Sequence, residues 1–210
     1  MPSRQRATAE RLTTDALVDA VAALIESGGV EALTMRRLAQ ECGVGVTTLY
    51  GHVRTKDELL GLFADRLLGR IRPPEESLPW DEQVGAIFRA VYEILVDHPE
   101  LAQIVGRQPV PGSAALRLFQ QVLRALVGIG LTDRQIRTGY AVLAAYTTGY
   151  VQHQAARTAR TPALADLIAD ARHVDTHPEP NGDGADHLTA FDAGLRVILD
   201  GLSAAATRRG

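Results

Sequence analysis

The chain has a single cysteine, Cys42, in 210 residues. No intrachain disulfide can form and a thiolate-built metal cage is excluded, so a reducing, cytoplasmic setting is expected. Lysine is almost missing as well. Lys56 stands alone among 22 basic side chains, and the formal net charge is −3. Bulk charge therefore rules out a general polyanion binder. Even residues 1–70, with 9 basic and 9 acidic side chains, are neutral in sum. Any nucleic-acid contact must rest on where charges sit. Long apolar runs are absent, each being broken by a charge or a glycine, and the basic N-terminus MPSRQRATAERLTT has no apolar region behind it. Neither a membrane span nor a secretory leader is expected. No GxSxG, HExxH or GxxxxGK[ST] motif sets up a nucleophile, a metal pair or a phosphate loop, so neither catalysis nor a cofactor is expected. Nor does any stretch alternate in the manner of a strand.

What is present is helical text. The composition, 46% hydrophobic and 22% charged, is that of a globular chain able to bury a core. From Thr14 to Ser27 the apolar residues Leu17, Ala20, Val21, Leu24 and Ile25 line one helical face, and Gly28-Gly29 ends it. Thr34 is placed to cap a second helix reaching Cys42. Gly43 can take positive φ and close a tight turn, after which Val46–His52 supports barely two helical turns. The stretch Thr55 to Glu58, TKDE, reads as a capping box in which Glu58 reaches back to the Thr55 amide. Leu59, Leu60, Phe63, Leu67 and Leu68 then form the stripe of a fourth helix.

Pro73-Pro74 halts that helix, and the acidic, proline-bearing stretch to Pro79 divides a domain at 1–70 from one at 71–210. Further helices are expected at about 80–97, 99–106, 113–127, 132–158, 163–174 and 185–207, with a polar loop, DTHPEPNGDGAD, across 175–186. The fold class is all-α: an N-terminal three-helix helix-turn-helix head joined by a linking helix to a larger helical body.

Two helices joined by a glycine turn, the second very short, form a unit whose second helix fits the major groove of DNA. Gly45, Val46, Thr47 and Thr48 open that helix and face base edges, where valine and threonine methyls can meet thymine methyls. Arg36 can grip guanine bidentately. Thr34, Tyr50, His52 and Lys56 supply donors for phosphate oxygens, Lys56 beside the free amides at the start of the fourth helix. Arg37, Arg54 and the arm residues Arg4, Arg6 and Arg11 are secondary candidates.

The stretch from Leu33 to Leu68, LTMRRLAQECGVGVTTLYGHVRTKDELLGLFADRLL, resembles the DNA-binding head of the TetR family of bacterial transcriptional regulators. Leu38-Ala39, Gly43-Val44, Leu49-Tyr50, His52, Lys56 and Leu59-Leu60 match together. Trp80, Asp97-His98, GLTDRQI from Gly130 and FDAGLRVILDGL at 191–202 resemble the regulatory half of the tetracycline-repressor branch. The resemblance implies an Ω-shaped homodimer, joined as a four-helix bundle through segments near 132–158 and 185–207. It also implies a palindromic double-stranded DNA operator and a small-molecule effector. Gly45 stands where the family often has a serine-like cap, and Gly51 where tetracycline repressors have a large aromatic. The histidine by which those repressors hold a magnesium–drug complex has no counterpart in the matching stretch, IVGRQP. Tetracycline and magnesium are therefore not carried over.

An effector needs a mostly apolar pocket with a few polar groups. The candidates are Phe63, Leu67, Phe88, Val91, Tyr92, Leu95, Ile104, Gln108, Leu116, Phe119, Gln120, Tyr140 and Tyr146, with His98 and His153 beside them. His173, Asp175, His177, Asp183, Asp186 and His187 match no metal-ligand spacing, so no metal site is expected. The competing functional reading is a helical binding or scaffold protein whose TetR-like head lacks specific operator recognition.

Overall fold

The structure, a computed structural model, describes residues 12–107, 112–156 and 185–207. The expected helix at 163–174, the arm arginines and Gln108 lie outside them. Among the described residues there are nine α-helices and no strand: α1 Thr14–Ala32, α2 Met35–Glu41, α3 Val46–His52, α4 Lys56–Leu68, α5 Trp80–Asp97, α6 Ala102–Arg107, α7 Ser113–Gly128, α8 Asp133–Ala156 and α9 Ala185–Thr207. A single 3-10 turn, Pro99–Leu101, sits between α5 and α6.

Local chemistry explains the boundaries. The Thr13 hydroxyl accepts from the Ala16 amide and opens α1, which breaks where expected: Gly29 has φ of 68°, and one further turn follows. Thr34 accepts from the Arg37 amide to open α2. At the end of α2, Gly43 has φ of 65°. The Gly43 amide donates to Gln40 O at 3.1 Å and the Val44 amide to Ala39 O at 2.9 Å. This is a Schellman closure, and only a residue free of Cβ strain completes it cheaply. The Thr55 hydroxyl accepts from the Glu58 amide at 3.0 Å, as the capping box requires. The return bond differs from the expected one. The Glu58 carboxylate accepts from the Arg54 amide at 2.7 Å, one residue before Thr55.

Helix α1 packs on α4 and α2, and α2 packs on α3. In the body α5 lies against α7, α8 and α9, while α4 reaches from the head onto α6 and α7. One contiguous apolar cluster runs from Leu17 in α1 to Leu199 in α9. The proline stretch after α4 is tied down by two buried glutamines. Gln83 donates to Glu76 O and Leu78 O, and Gln121 donates to Pro74 O and to the side-chain Oε1 of Gln83. These bonds satisfy carbonyls that prolines and turns leave without helical partners. Antiparallel ladders of charge also link α5 to α9, through Arg89 with Asp192 and Arg196 with Asp81.

Candidate nucleic-acid interface and body cavity

Helix α3 is held by one face and open on the other. Leu49 is fully buried and Val53, just past the helix, is 2% exposed. Burying side chains of this size contributes about 1.5–3 kcal/mol each, which is what keeps so short a helix in place. The opposite face presents Val46, 40% exposed, and Tyr50, 51% exposed, with Thr47 and His52 also outward and Thr48 half-buried. Gly45 caps α3 with backbone only, and no side chain bonds to the free amides there. On α2, Leu38 and Ala39 are buried while Arg36 and Arg37 are exposed. Thr34 spends its hydroxyl oxygen on the Arg37 amide but keeps its O–H proton for a further acceptor.

Lys56 sits differently from the expected phosphate site. Its ammonium donates to Val30 O at 2.7 Å, across 26 residues of chain, so it pins the start of α4 to the turn after the α1 kink. Asp57 and Glu58 occupy the same first turn and already complement the positive end of the helix. The Lys56 ammonium is thus partly consumed by the head's own structure, with its other N–H groups left for an outside acceptor. Cys42 is half-buried at the foot of α2, where burial, and secondarily the Glu41 carboxylate, push its thiol pKa up and keep it unreactive.

A small cavity of about 70 Å³ lies inside the body. Helix α5 contributes Ile87, Phe88 and Val91, and α7 contributes Ala115, Leu118, Phe119 and Val122. Tyr140, Ala144, Thr147 and Thr148 come from α8, with Leu68 and Val105 closing the side toward the head. Phe119 meets Tyr140 edge to face at 4.7 Å, and Phe88 lies 6.2 Å from the same ring. Thr147 and Thr148 donate to carbonyls one turn back in their own helix, Leu143 O and Ala144 O. Among the described residues of the wall Tyr140 is the only ionisable one, and burial pushes its phenol upward, so this described lining is uncharged at neutral pH.

Of the sequence-selected candidates, Phe88, Val91, Phe119 and Tyr140 meet in this cavity. The other described candidates are elsewhere. Phe63, Leu67 and Leu95 are core, 4%, 3% and 0% exposed, with Phe63 edge-on to His98 at 5.3 Å. Tyr92 stacks on Phe191 at 4.0 Å, and Tyr146 donates its hydroxyl to Phe191 O at 2.9 Å, in a separate aromatic cluster between α5, α8 and α9. Ile104 packs against the core, while Leu116, half exposed, and Gln120 point to solvent because α7 turns its other face inward. His98 lies 3.4 Å from Glu100, and His153 is on the surface. The residues that were missed are aliphatic or threonine, none of them aromatic. Their spacing carried the signal, since Ala115, Leu118, Phe119 and Val122 fall at i, i+3, i+4 and i+7. Among the described residues no group of acidic, histidine and cysteine side chains could hold a metal, and His187 instead pairs with Gln154 at 2.7 Å. No described helix is long and apolar enough to cross a membrane.

Comparison with known proteins follows the same division. Residues 17–62 match the model for bacterial regulatory proteins of the tetR family, and 72–206 match that for the tetracyclin repressor-like C-terminal domain. A helix-turn-helix transcriptional regulator of Saccharopolyspora erythraea is 33% identical over 98% of this chain and 90% of its own. The transcriptional repressor DrrR1 of Streptomyces coeruleorubidus is also 33% identical, over 95% of this chain and 80% of its own. Among solved structures, Streptomyces coelicolor ActR in complex with actinorhodin superposes with a TM-score of 0.72 at 31% identity, covering 93% of this chain and 98% of that one. Mycobacterium smegmatis BioQ bound to its double-stranded DNA operator gives 0.64 at 26%, covering 92% and 99%.

Proposed function

The chain belongs to the TetR family of bacterial transcriptional regulators, and from that premise we propose how it works. A homodimer reads a palindromic operator through α2 and α3 of each head. It leaves that operator when an uncharged, largely aromatic small molecule enters the cavity between α5, α7 and α8. Residues 1–70 form the DNA-binding domain and 71–210 the effector-binding and dimerisation domain. The observation that carries this reading is the two-faced α3: Leu49 locks it into the head while Val46, Thr47 and Tyr50 remain open toward a groove.

Arg36 and the Val46–Thr48 face read bases, and Thr34, Tyr50 and His52 hold phosphates, with Lys56 contributing what its tie to Val30 leaves free. The dimer is supported by exposed valines on the two helices that would form the bundle. Val142 on α8 is 45% exposed and Val197 on α9 is 71% exposed, beside Gly201, whose open side lets another helix approach. The effector class follows from the uncharged wall, whose aromatic rings and one tyrosine hydroxyl suit a neutral ring system with a hydroxyl or carbonyl. The cavity volume, about 70 Å³, is far below the roughly 300 Å³ of drug-sized pockets, so occupation must part the helices around it. The likeness to ActR holding actinorhodin and BioQ holding its operator fits both halves of this reading.

The test is selection of the purified protein against random duplexes, with the enriched sequence titrated at two salt concentrations. An enriched palindrome bound by a dimer with a steep salt dependence is expected. Weak binding without enrichment would replace this reading with that of a helical scaffold carrying a non-specific head.

A further inference from the structure

Helix α7 begins without a cap of its own. Gly112, the residue in the cap position, has no side chain to bond the free amides of the helix. The missing acceptor comes from the head side. Asp65 on α4, 50 residues earlier, accepts the Ala115 amide on Oδ1 at 2.8 Å. Gly112 makes this possible, because a Cβ at that position would overlap the Asp65 carboxylate. The end of α4 also abuts the same turn, since a Cβ on Gly69 would lie 3.6 Å from that of Ala114.

Two further facts give the contact meaning. Ala115, whose amide Asp65 holds, turns its side chain into the body cavity, and Leu68, one turn beyond Asp65, lines the same cavity. The neighbouring Arg66 faces the other way and pairs with Asp19 on α1. Adjacent residues of α4 therefore grip the cavity wall and the head by directional, charge-assisted bonds. Contacts of that kind are directional, so they are either made or broken when the packed helices around them shift between arrangements.

We propose that Asp65 is the positioning residue that couples α7 to the DNA-binding head. Its carboxylate caps α7 while the heads are spaced for DNA, and it releases α7 when the cavity opens. The direction of the coupling rests on the effector reading above, but the link itself can be tested without any effector. Coupling is reciprocal, so DNA on the head must steady the first turn of α7.

The experiment is hydrogen exchange on the full dimer, free and bound to the selected duplex, for the original protein, Asp65→Ala, Asp65→Asn and Gly112→Ala. In the original protein, duplex should slow exchange across residues 113–118 by about fivefold or more, the lower end of ordinary allosteric coupling. Asp65→Ala and Gly112→Ala should still bind the duplex but lose that slowing, and Asp65→Asn, which keeps an acceptor without the charge, should retain part of it. The proposal is overturned if exchange there is unchanged by bound duplex in the original protein, or slows equally in Asp65→Ala or Gly112→Ala. Should Asp65→Ala fail to fold, Gly112→Ala, which displaces the carboxylate without removing it, and the original protein still decide. Absence of any bound duplex would instead strike at the operator reading, which the selection experiment reports separately.

Discussion

Replacing Lys56 by methionine separates two jobs that the structure gives one ammonium. The variant keeps most of the apolar stem but removes the donor that reaches Val30 O at 2.7 Å, leaving that carbonyl only the Leu33 amide at 3.2 Å. A hydrogen bond to a charged group contributes about 1.5–3 kcal/mol, and Lys56 is only partly buried, so the lower half of that range applies, about 1.5–2 kcal/mol. For a chain of this size each kcal/mol moves the midpoint by about 2–4 °C, giving an expected fall of about 3–8 °C. Urea and thermal unfolding would read the stability term. Titration of the selected duplex and a scrambled one would read the phosphate term, which should weaken both by the same factor because a phosphate contact carries no sequence information. Unchanged stability would refute the tie to Val30 as a structural bond. A loss confined to the selected duplex would refute the phosphate role.

Three further outcomes follow from the same structure. Arg36→Ala, on an exposed face of α2, should relax preference at one operator position at a cost of about 1–3 kcal/mol, checked by repeating the selection with the variant. Ala144→Val adds bulk to the wall of the cavity and should raise stability by about 0.5–2 kcal/mol while blunting effector release, read by unfolding and by operator titration with neutral aromatic compounds. Tyr146 has its phenol pushed up to about 12, first by burial and then by Tyr150, Tyr92 and Asp192. Its proton is held more tightly folded than unfolded, so stability is intact below about pH 10 and should fall as pH rises from about 10 toward 12. Tyr146→Phe should flatten that fall in urea titrations at pH 8 and 11, though it forgoes the bond to Phe191 O at both.

The helices of the head were legible because their signals are short-range. Thr34, the Gly43 turn and the Thr55 cap act over three to five residues, and each forms in the structure as the residue order implies. The position of α3 was legible for the same reason, and Leu49 between exposed neighbours is simple helical phase. The cavity was only partly legible. Picking large aromatics found Phe88, Phe119 and Tyr140 but also drew in Phe63, Tyr92 and Tyr146, since ring size does not say which side of a packed helix faces a gap. The exposure of Arg36 and Arg37 follows from the helical phase of Leu38-Ala39, whereas the pairing of Asp19 with Arg66, 47 residues apart, is not written in any local pattern.

The order of residues by itself determined the class: all-helical, a short reading helix after a glycine turn, and a helical body behind a proline joint. Periodicity and capping are properties of neighbouring residues and need no knowledge of the rest. Tertiary structure decided what the long-range groups do. It turned the Lys56 ammonium to a carbonyl 26 residues away and set the Asp65 carboxylate on a helix 50 residues away. It also chose which small side chains of α5, α7 and α8 leave a space between them. Those outcomes depend on how helices cross, and a pairing between distant residues exists only once the apolar faces have fixed that crossing.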